Sequence, residues 1–230
     1  TNIEADHLDC YKDLDDIKKT FVAFTDRVPF YGAVIACADD QGVRDVLPDI
    51  RKKVITYGLQ KNADYMALNV TFTSGKPSFT VMKQGRELGV VTLAIPGTHN
   101  VSNALAAIAV AVEMGIPFEV IQTSLAAFEG VRRRFEIIGS VNGVTVVDDY
   151  AHHPGEIRAT LNAAKKSGYK RVIAVFQPHL YSRTRDFMDD FALSLGIADE
   201  TYVTAIYKAR EEPIPGVTAE TIVSTMNSVG

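Results

Sequence analysis

The strongest constraint on the fold is a pattern: short unbroken apolar runs, each ending in polar or acidic residues, alternate with stretches of helical periodicity. Ala33-Val34-Ile35-Ala36-Cys37-Ala38 runs into Asp39-Asp40, and Lys53-Val54-Ile55-Thr56-Tyr57-Gly58 repeats the theme. Apolar runs of this length suit strands of a parallel sheet covered on both faces. Ahead of them Leu14, Ile17, Phe21, Val22, Phe24 and Val28 recur at helical spacing up to Pro29, which predicts an amphipathic helix. A short helix over 42–47 separates the two runs. The alternation defines an α/β fold.

From Asp64 to Ala94 the texture is β-rich. Segments 65–73, 78–83 and 90–93, separated by Ser74-Gly75-Lys76-Pro77 and Gln84-Gly85-Arg86, predict an antiparallel meander at a sheet edge. After Pro96-Gly97, helices are expected over 101–114 and from Pro117 to about 128. A new unit then begins near 129–133. It reads as strands at 135–141 and 144–147 around an Asn142-Gly143 hairpin turn. Beyond them come a helix over 154–167, a strand over 171–176, a single helix over 182–195, a strand over 200–204 and a helix over 219–226. These elements predict a second α/β sheet, with domains 1–130 and 131–230.

Composition narrows the function classes. With 47% hydrophobic residues in 230, the chain can bury a real core. A net charge of −4 offers no excess positive field for nucleic acid or an anionic membrane. The apolar run from Ala104 to Val112 is far shorter than the ~20 residues that cross a bilayer. Cys10 and Cys37 make no disulfide framework, and both read as free thiols in a reducing cytoplasm.

Ligands of open α/β sheets gather at the carboxyl ends of strands, and dense polar clusters follow three predicted elements. In Asp148-Asp149-Tyr150-Ala151-His152-His153-Pro154, two carboxylates, a phenol and two imidazoles crowd one loop. The plainer reading is that the aspartates end the strand and His153 caps the helix. Gln177-Pro178-His179-Leu180-Tyr181-Ser182-Arg183-Thr184-Arg185 is a strand end followed by a helix start. Arginine there opposes the helix dipole, so an anion held by Arg183 among the free N–H groups would account for it; a solvated cap is the alternative. Arg132-Arg133-Arg134 at the domain boundary either grips phosphate or forms a solvated face.

In the first unit, Asn100 and Asn103 lie three apart at a helix start, so both amides share a face on which a purine edge could be read. His7, flanked by Asp6 and Asp9, could ligate a divalent cation or be structural. No Gly-x-Gly-x-x-Gly follows a strand, which argues against a nicotinamide enzyme. Ser74-Gly75-Lys76-Pro77-Ser78 is a false phosphate loop, because Pro77 lacks the N–H such a loop uses.

Taken together, Thr1-Asn2-Ile3-Glu4-Ala5-Asp6-His7-Leu8-Asp9, Pro96-Gly97-Thr98-His99-Asn100 with Asn103, Gly130 to Glu136, Asp148 to Pro154 and Gln177 to Thr184 resemble the Mur ligase family, in family order. The resemblance implies part of a central ATP-binding domain followed by a Rossmann-like C-terminal domain. It implies the branch that joins L-alanine to UDP-N-acetylmuramate with ATP, through an acyl phosphate, in bacterial cytoplasmic peptidoglycan synthesis. By motif, His7 resembles a magnesium ligand, and His99, Asn100 and Asn103 the adenine side. Arg134 resembles the linker arginine at the phosphates, and Asp149 the C-terminal acid at the nucleotide. Tyr150, His152 and Arg183 resemble the muramoyl and alanine end, with Arg134, Asp149 and His152 as the catalytic set. Leu180 stands where the resemblance leads one to expect arginine.

The family's sugar-binding domain and Gly-Lys-Thr phosphate loop would lie ahead of Thr1, and its C-terminal domain runs past Gly230. The resemblance therefore implies a piece of a longer enzyme that does not ligate alone. The alternatives are a murein-recycling ligase that adds a tripeptide, and a non-catalytic nucleotide-binding or assembly module. A metal-dependent hydrolase built on His7, His152 and His153 is disfavoured, since no histidine pair has i, i+4 spacing.

Overall fold

The computed structural model describes every residue except His7, Asp9, Lys61 and Gly230. The chain divides into two compact units, Thr1–Phe128 and Glu129–Gly230.

The first unit is built on a five-stranded sheet of order β1-β2-β3-β4-β5. Strands β1 (Val34–Cys37), β2 (Val54–Gly58) and β3 (Tyr65–Thr73) run parallel, and β4 (Lys76–Lys83) and β5 (Arg86–Thr92) complete an antiparallel meander at the edge. The apolar runs are continuous because β1 and β2 are covered on both faces. On one face Cys37, Ile55 and Tyr57 pack with Val101, Leu105 and Ile108 of α3 (Thr98–Glu113). On the other, Ala36 and Val54 pack with Ile17 of α1 (Leu14–Thr25) and Val43 of α2 (Gln41–Val46). Helix α4 (Phe118–Ala127) lies along β5, where the Gln122 amide donates to the Val90 carbonyl at 2.6 Å.

Two details fix the strand ends. Asp39 accepts the Leu59 and Gln60 N–H groups at 2.6 and 3.0 Å, binding the end of β1 to the end of β2. Gly58 permits this approach, since a Cβ there would stand 2.9 Å from the Asp39 carboxylate. The two meander turns are tighter than the sequence suggests: Ser74-Gly75 and Gln84-Gly85 take positive φ at both residues. That geometry is a two-residue hairpin turn, so β4 begins at Lys76 and β5 at Arg86.

In the second unit the single expected sheet is replaced by two small ones. Strands β6 (Glu136–Val141) and β7 (Val144–Asp148) pair antiparallel around Asn142-Gly143, while β8 (Ile173–Phe176) and β9 (Glu200–Val203) pair parallel. The core lies among β8, β9, α5 (Pro154–Lys166), α7 (Met188–Leu195) and α8 (Ala219–Val229), centred on Phe176, Phe191, Leu195 and Ile222. The expected helix over 182–195 is two helices, α6 (Tyr181–Asp186) and α7, broken at Phe187 with φ −119° and ψ 25°. The Phe187 ring packs against His153 at 5.0 Å between centroids, a tertiary contact that helical periodicity does not register.

Candidate functional site

In the first unit the candidate residues ride on the start of α3. The turn opens at Gly97, buried and with φ of 101°, a conformation that L side chains rarely adopt. The Asn100 side chain donates to the Pro96 carbonyl at 2.7 Å, stitching the entry turn to the helix. The Asn103 amide donates to Asn100 Oδ1 at 3.5 Å, so the two amides do share one face. Asn103 is exposed, while Val101 and Leu105 on the underside are fully buried. Paired amides of this kind present donor and acceptor side by side, which is the chemistry a purine edge requires. His99 lies in the same turn. In the core beneath α3, burial and then the Cys37 thiol push the Tyr57 phenol well up, keeping it neutral.

His7, the residue expected to hold magnesium, falls outside the described residues. Among those described, no three His, Cys, Asp or Glu side chains gather as a metal-binding group. A shallow groove of about 490 Å³ on the meander, lined by Thr56, Asn62, Asp64, Met66, Met82 and Gln84 among others, holds none of the expected site residues.

In the second unit Arg134, Asp149, Tyr150 and His152 come together at the junction of β7 and α5. Asp149 accepts the Phe135 N–H on one oxygen and the Ala151 N–H on the other, both at 2.8 Å. Its carboxylate thereby ties the boundary segment to the loop, and Tyr150 N–H adds a bond to the Arg133 carbonyl at 2.8 Å. The Arg133 guanidinium lies over the Tyr150 ring, 4.6 Å from its centroid, and 3.4 Å from Asp148. These contacts hold Arg133 and Phe135 at φ of 59° and 50°, a strained conformation that persists where its surroundings over-determine it.

Arg134 is paired with Glu156 at 3.1 Å. Glu156 also accepts the His152 and His153 N–H groups at 3.0 and 3.3 Å and stands 3.4 Å from His152 Nδ1. Burial pushes its carboxyl up, but the His152 N–H, the Arg134 guanidinium and the His152 imidazole outweigh that and hold it below the usual glutamate range. His152 Nδ1 also meets the Tyr150 carbonyl at 2.9 Å. The plainer reading holds for His153, which caps α5 by accepting the Gly155 N–H at 3.3 Å.

The anion expected at the start of α6 is supplied by the chain itself. The Ser182 N–H donates to a Glu211 carboxylate oxygen at 3.0 Å. Arg183 is 8% exposed, too deep for a solvated cap. The His179 ring stands 6.3 Å from His152 and stacks on Tyr207 at 5.5 Å, joining this segment to the first cluster. Leu180, at the position where arginine was expected, is buried with φ of 74°. Its apolar side chain supplies no charge there.

Two residues escaped the sequence reading. Glu156 had a local signal, because His153-Pro154-Gly155-Glu156 follows capping-box spacing with histidine in the place of serine or threonine. Glu211 had none, lying 29 residues from its partner.

Fold and clusters together define an α/β protein whose polar groups converge where strands give way to helices. The chain belongs to the Mur ligases: residues 1–111 match the Mur ligase middle domain, and residues 133–230 the Mur ligase, glutamate ligase domain. It is similar to the UDP-N-acetylmuramate–L-alanine ligase of Koribacter versatilis, 47% identical over all of this chain and 50% of that protein. The crystal structure of UDP-N-acetylmuramate–alanine ligase from Thermotoga maritima superposes with a TM-score of 0.76 at 28% identity, covering 99% of this chain and 47% of that one. A murein peptide ligase from Psychrobacter arcticus gives a TM-score of 0.64 at 29% identity over 99% and 46%. The chain spans about half the length of the curated relatives it matches. No helix among the described residues is long and apolar enough to cross a membrane.

Proposed function

We propose that this chain supplies part of the nucleotide site and the acceptor end of an ATP-dependent ligase that joins L-alanine to UDP-N-acetylmuramate, through an acyl phosphate, in the cytoplasm. Residues 1–130 are read as the middle-domain part and 131–230 as the C-terminal domain. The observation that carries the reading is the β7–α5 junction, where Asp149, Tyr150, His152, Glu156 and Arg134 are gathered on fixed backbone, in a chain whose curated relatives over its full length bear that activity in their names.

Phosphoryl transfer to a carboxylate requires cationic groups at developing charge and close control of position. Arg134 is exposed and held by one carboxylate, so it can exchange Glu156 for ligand phosphate without leaving a buried charge unpaired. Asn100, Asn103 and His99 take the adenine side. Asp149 serves as a backbone anchor beside the nucleotide, and Tyr150, His152 and Arg183 face the muramoyl and amino-acid end. Magnesium, when bound, would neutralise phosphate charge; His7 is the one residue assigned to it.

Titrating the protein with ATP and magnesium in a calorimeter tests the nucleotide half. Saturable heat that Asn103→Ala abolishes is the expected result, and heat unchanged by the substitution would remove the adenine assignment. The murein peptide ligase likeness supports a second reading, with a tripeptide as acceptor. The Gln177-Pro178-His179-Leu180-Tyr181-Ser182-Arg183-Thr184 segment favours alanine.

A further inference from the structure

The connection between β9 and α8 is laid along the segment that leaves β8, extending their parallel pairing beyond the sheet. Thr204 N–H donates to the Phe176 carbonyl at 2.9 Å, Tyr207 N–H to Pro178 at 2.8 Å, and Leu180 N–H to Tyr207 at 3.0 Å. The Gln177 amide reaches the Ala205 carbonyl at 3.4 Å, and the Tyr207 ring stacks on His179. At the far end Glu211 takes Ser182 in a two-point grip, one carboxylate oxygen accepting the backbone N–H and the other the hydroxyl. Charge-assisted pairs of this kind are shorter and stronger than neutral ones. The grip falls on the turn where extended chain becomes α6, with the buried Arg183 next in sequence and His179 three residues before.

The position needs such a tether. Leu180 sits between His179 and Ser182 with its backbone at positive φ, a strained conformation that relaxes unless its neighbours hold it. His179 Nδ1 is buried without a hydrogen-bond partner in the structure. Burial foremost, and then Arg183, His152 and Arg210, disfavour its charged form, with Glu211 opposing them. A small rotation of the turn would move Arg183 and His179 together.

We propose that Glu211 is a positioning residue for the acceptor end: by holding Ser182 it fixes the turn that presents His179 on one side and Arg183 on the other. The inference rests on the proposed assignment of Arg183 to the acceptor. It predicts that loss of the carboxylate is felt in acceptor recognition and not in nucleotide recognition.

The test is steady-state kinetics of the full-length enzyme with E211Q, E211D and R183K, each checked for native circular dichroism. E211Q keeps the size of the side chain and removes its charge. It is expected to raise KM for L-alanine about tenfold while KM for ATP stays within about twofold. E211D, which keeps the carboxylate on a shorter arm, is expected to recover part of that loss. R183K is expected to raise KM for L-alanine as well. If R183K raises it and E211Q does not, the positioning role is overturned and the acceptor assignment stands. If R183K leaves it unchanged, the acceptor assignment falls and the inference with it. Equal rises in KM for ATP and L-alanine on E211Q would show general loosening and overturn the positioning role.

Discussion

The two units hold their candidate groups by different physics. In the first, Asn100 and Asn103 stand on a helix whose underside is core, with Val101, Leu105 and Ile108 fully buried against a five-stranded sheet. In the second, the groups hang from loops that lead from strands of small two-stranded sheets into helices, and Ile137, Val141, Val144, Val146 and Val175 of those sheets are exposed. Packing alone does not fix those loops. Three carboxylates do, Asp149, Glu156 and Glu211, each accepting at least one backbone N–H. The first unit is therefore sensitive to cavities, and the second to charge as well.

The largest effects come from the cores. Phe191→Ala is expected to destabilise the second unit by about 4 kcal/mol, and Leu105→Ala the first by about 3 kcal/mol. Urea unfolding followed by tryptophans engineered separately into each unit would show each substitution moving one transition. Concerted movement of both would break the distinction between the units.

Asp149→Ala leaves the Phe135 and Ala151 N–H groups without their acceptor and is expected to cost about 2 kcal/mol. Hydrogen exchange should show the opening confined to the segments 133–136 and 148–153. Asn100→Ala, at the matching place in the first unit, removes the bond to the Pro96 carbonyl and the long, exposed one from the Asn103 amide, and is expected to cost about 1 kcal/mol. Equal costs would mean that the loops are held by packing after all.

The smallest and most graded effect is on pH. The Glu156 carboxyl is lower when folded than its ordinary 4.5, so its stabilisation is complete above that value and is lost as pH falls through the folded one. The His179 imidazole is lower when folded than its ordinary 6.5. Below 6.5 the unfolded chain takes up the proton first, and stability again falls with pH. The second unit should loosen on acidification before the first, from about pH 6 downward. Glu156→Gln and His179→Gln should each flatten part of that slope, read from thermal midpoints across pH 4 to 8.

What could be read from the sequence was what local patterns carry. The apolar runs at 33–38 and 53–58 named parallel strands because both faces are covered, and Asn142-Gly143 named its hairpin because both residues accept positive φ. Ser74-Gly75 and Gln84-Gly85 make the same kind of turn with first residues that advertise it less, so β4 and β5 looked shorter than they are. The break at Phe187 was invisible because the apolar pattern continues across it and a contact with His153 imposes it. The division of the second unit into two sheets depends on strand pairing that no local pattern encodes. The loop at 148–153 announced itself by its density of ionisable groups, whereas Glu211 reaches its partner only through the fold.

The proposed function stands or falls with the acceptor. Phosphate release from the full-length protein, supplied with ATP, UDP-N-acetylmuramate and either L-alanine or the tripeptide of murein recycling, measures this most directly. Release dependent on L-alanine is the predicted result. Release with the tripeptide and not with L-alanine would contradict it.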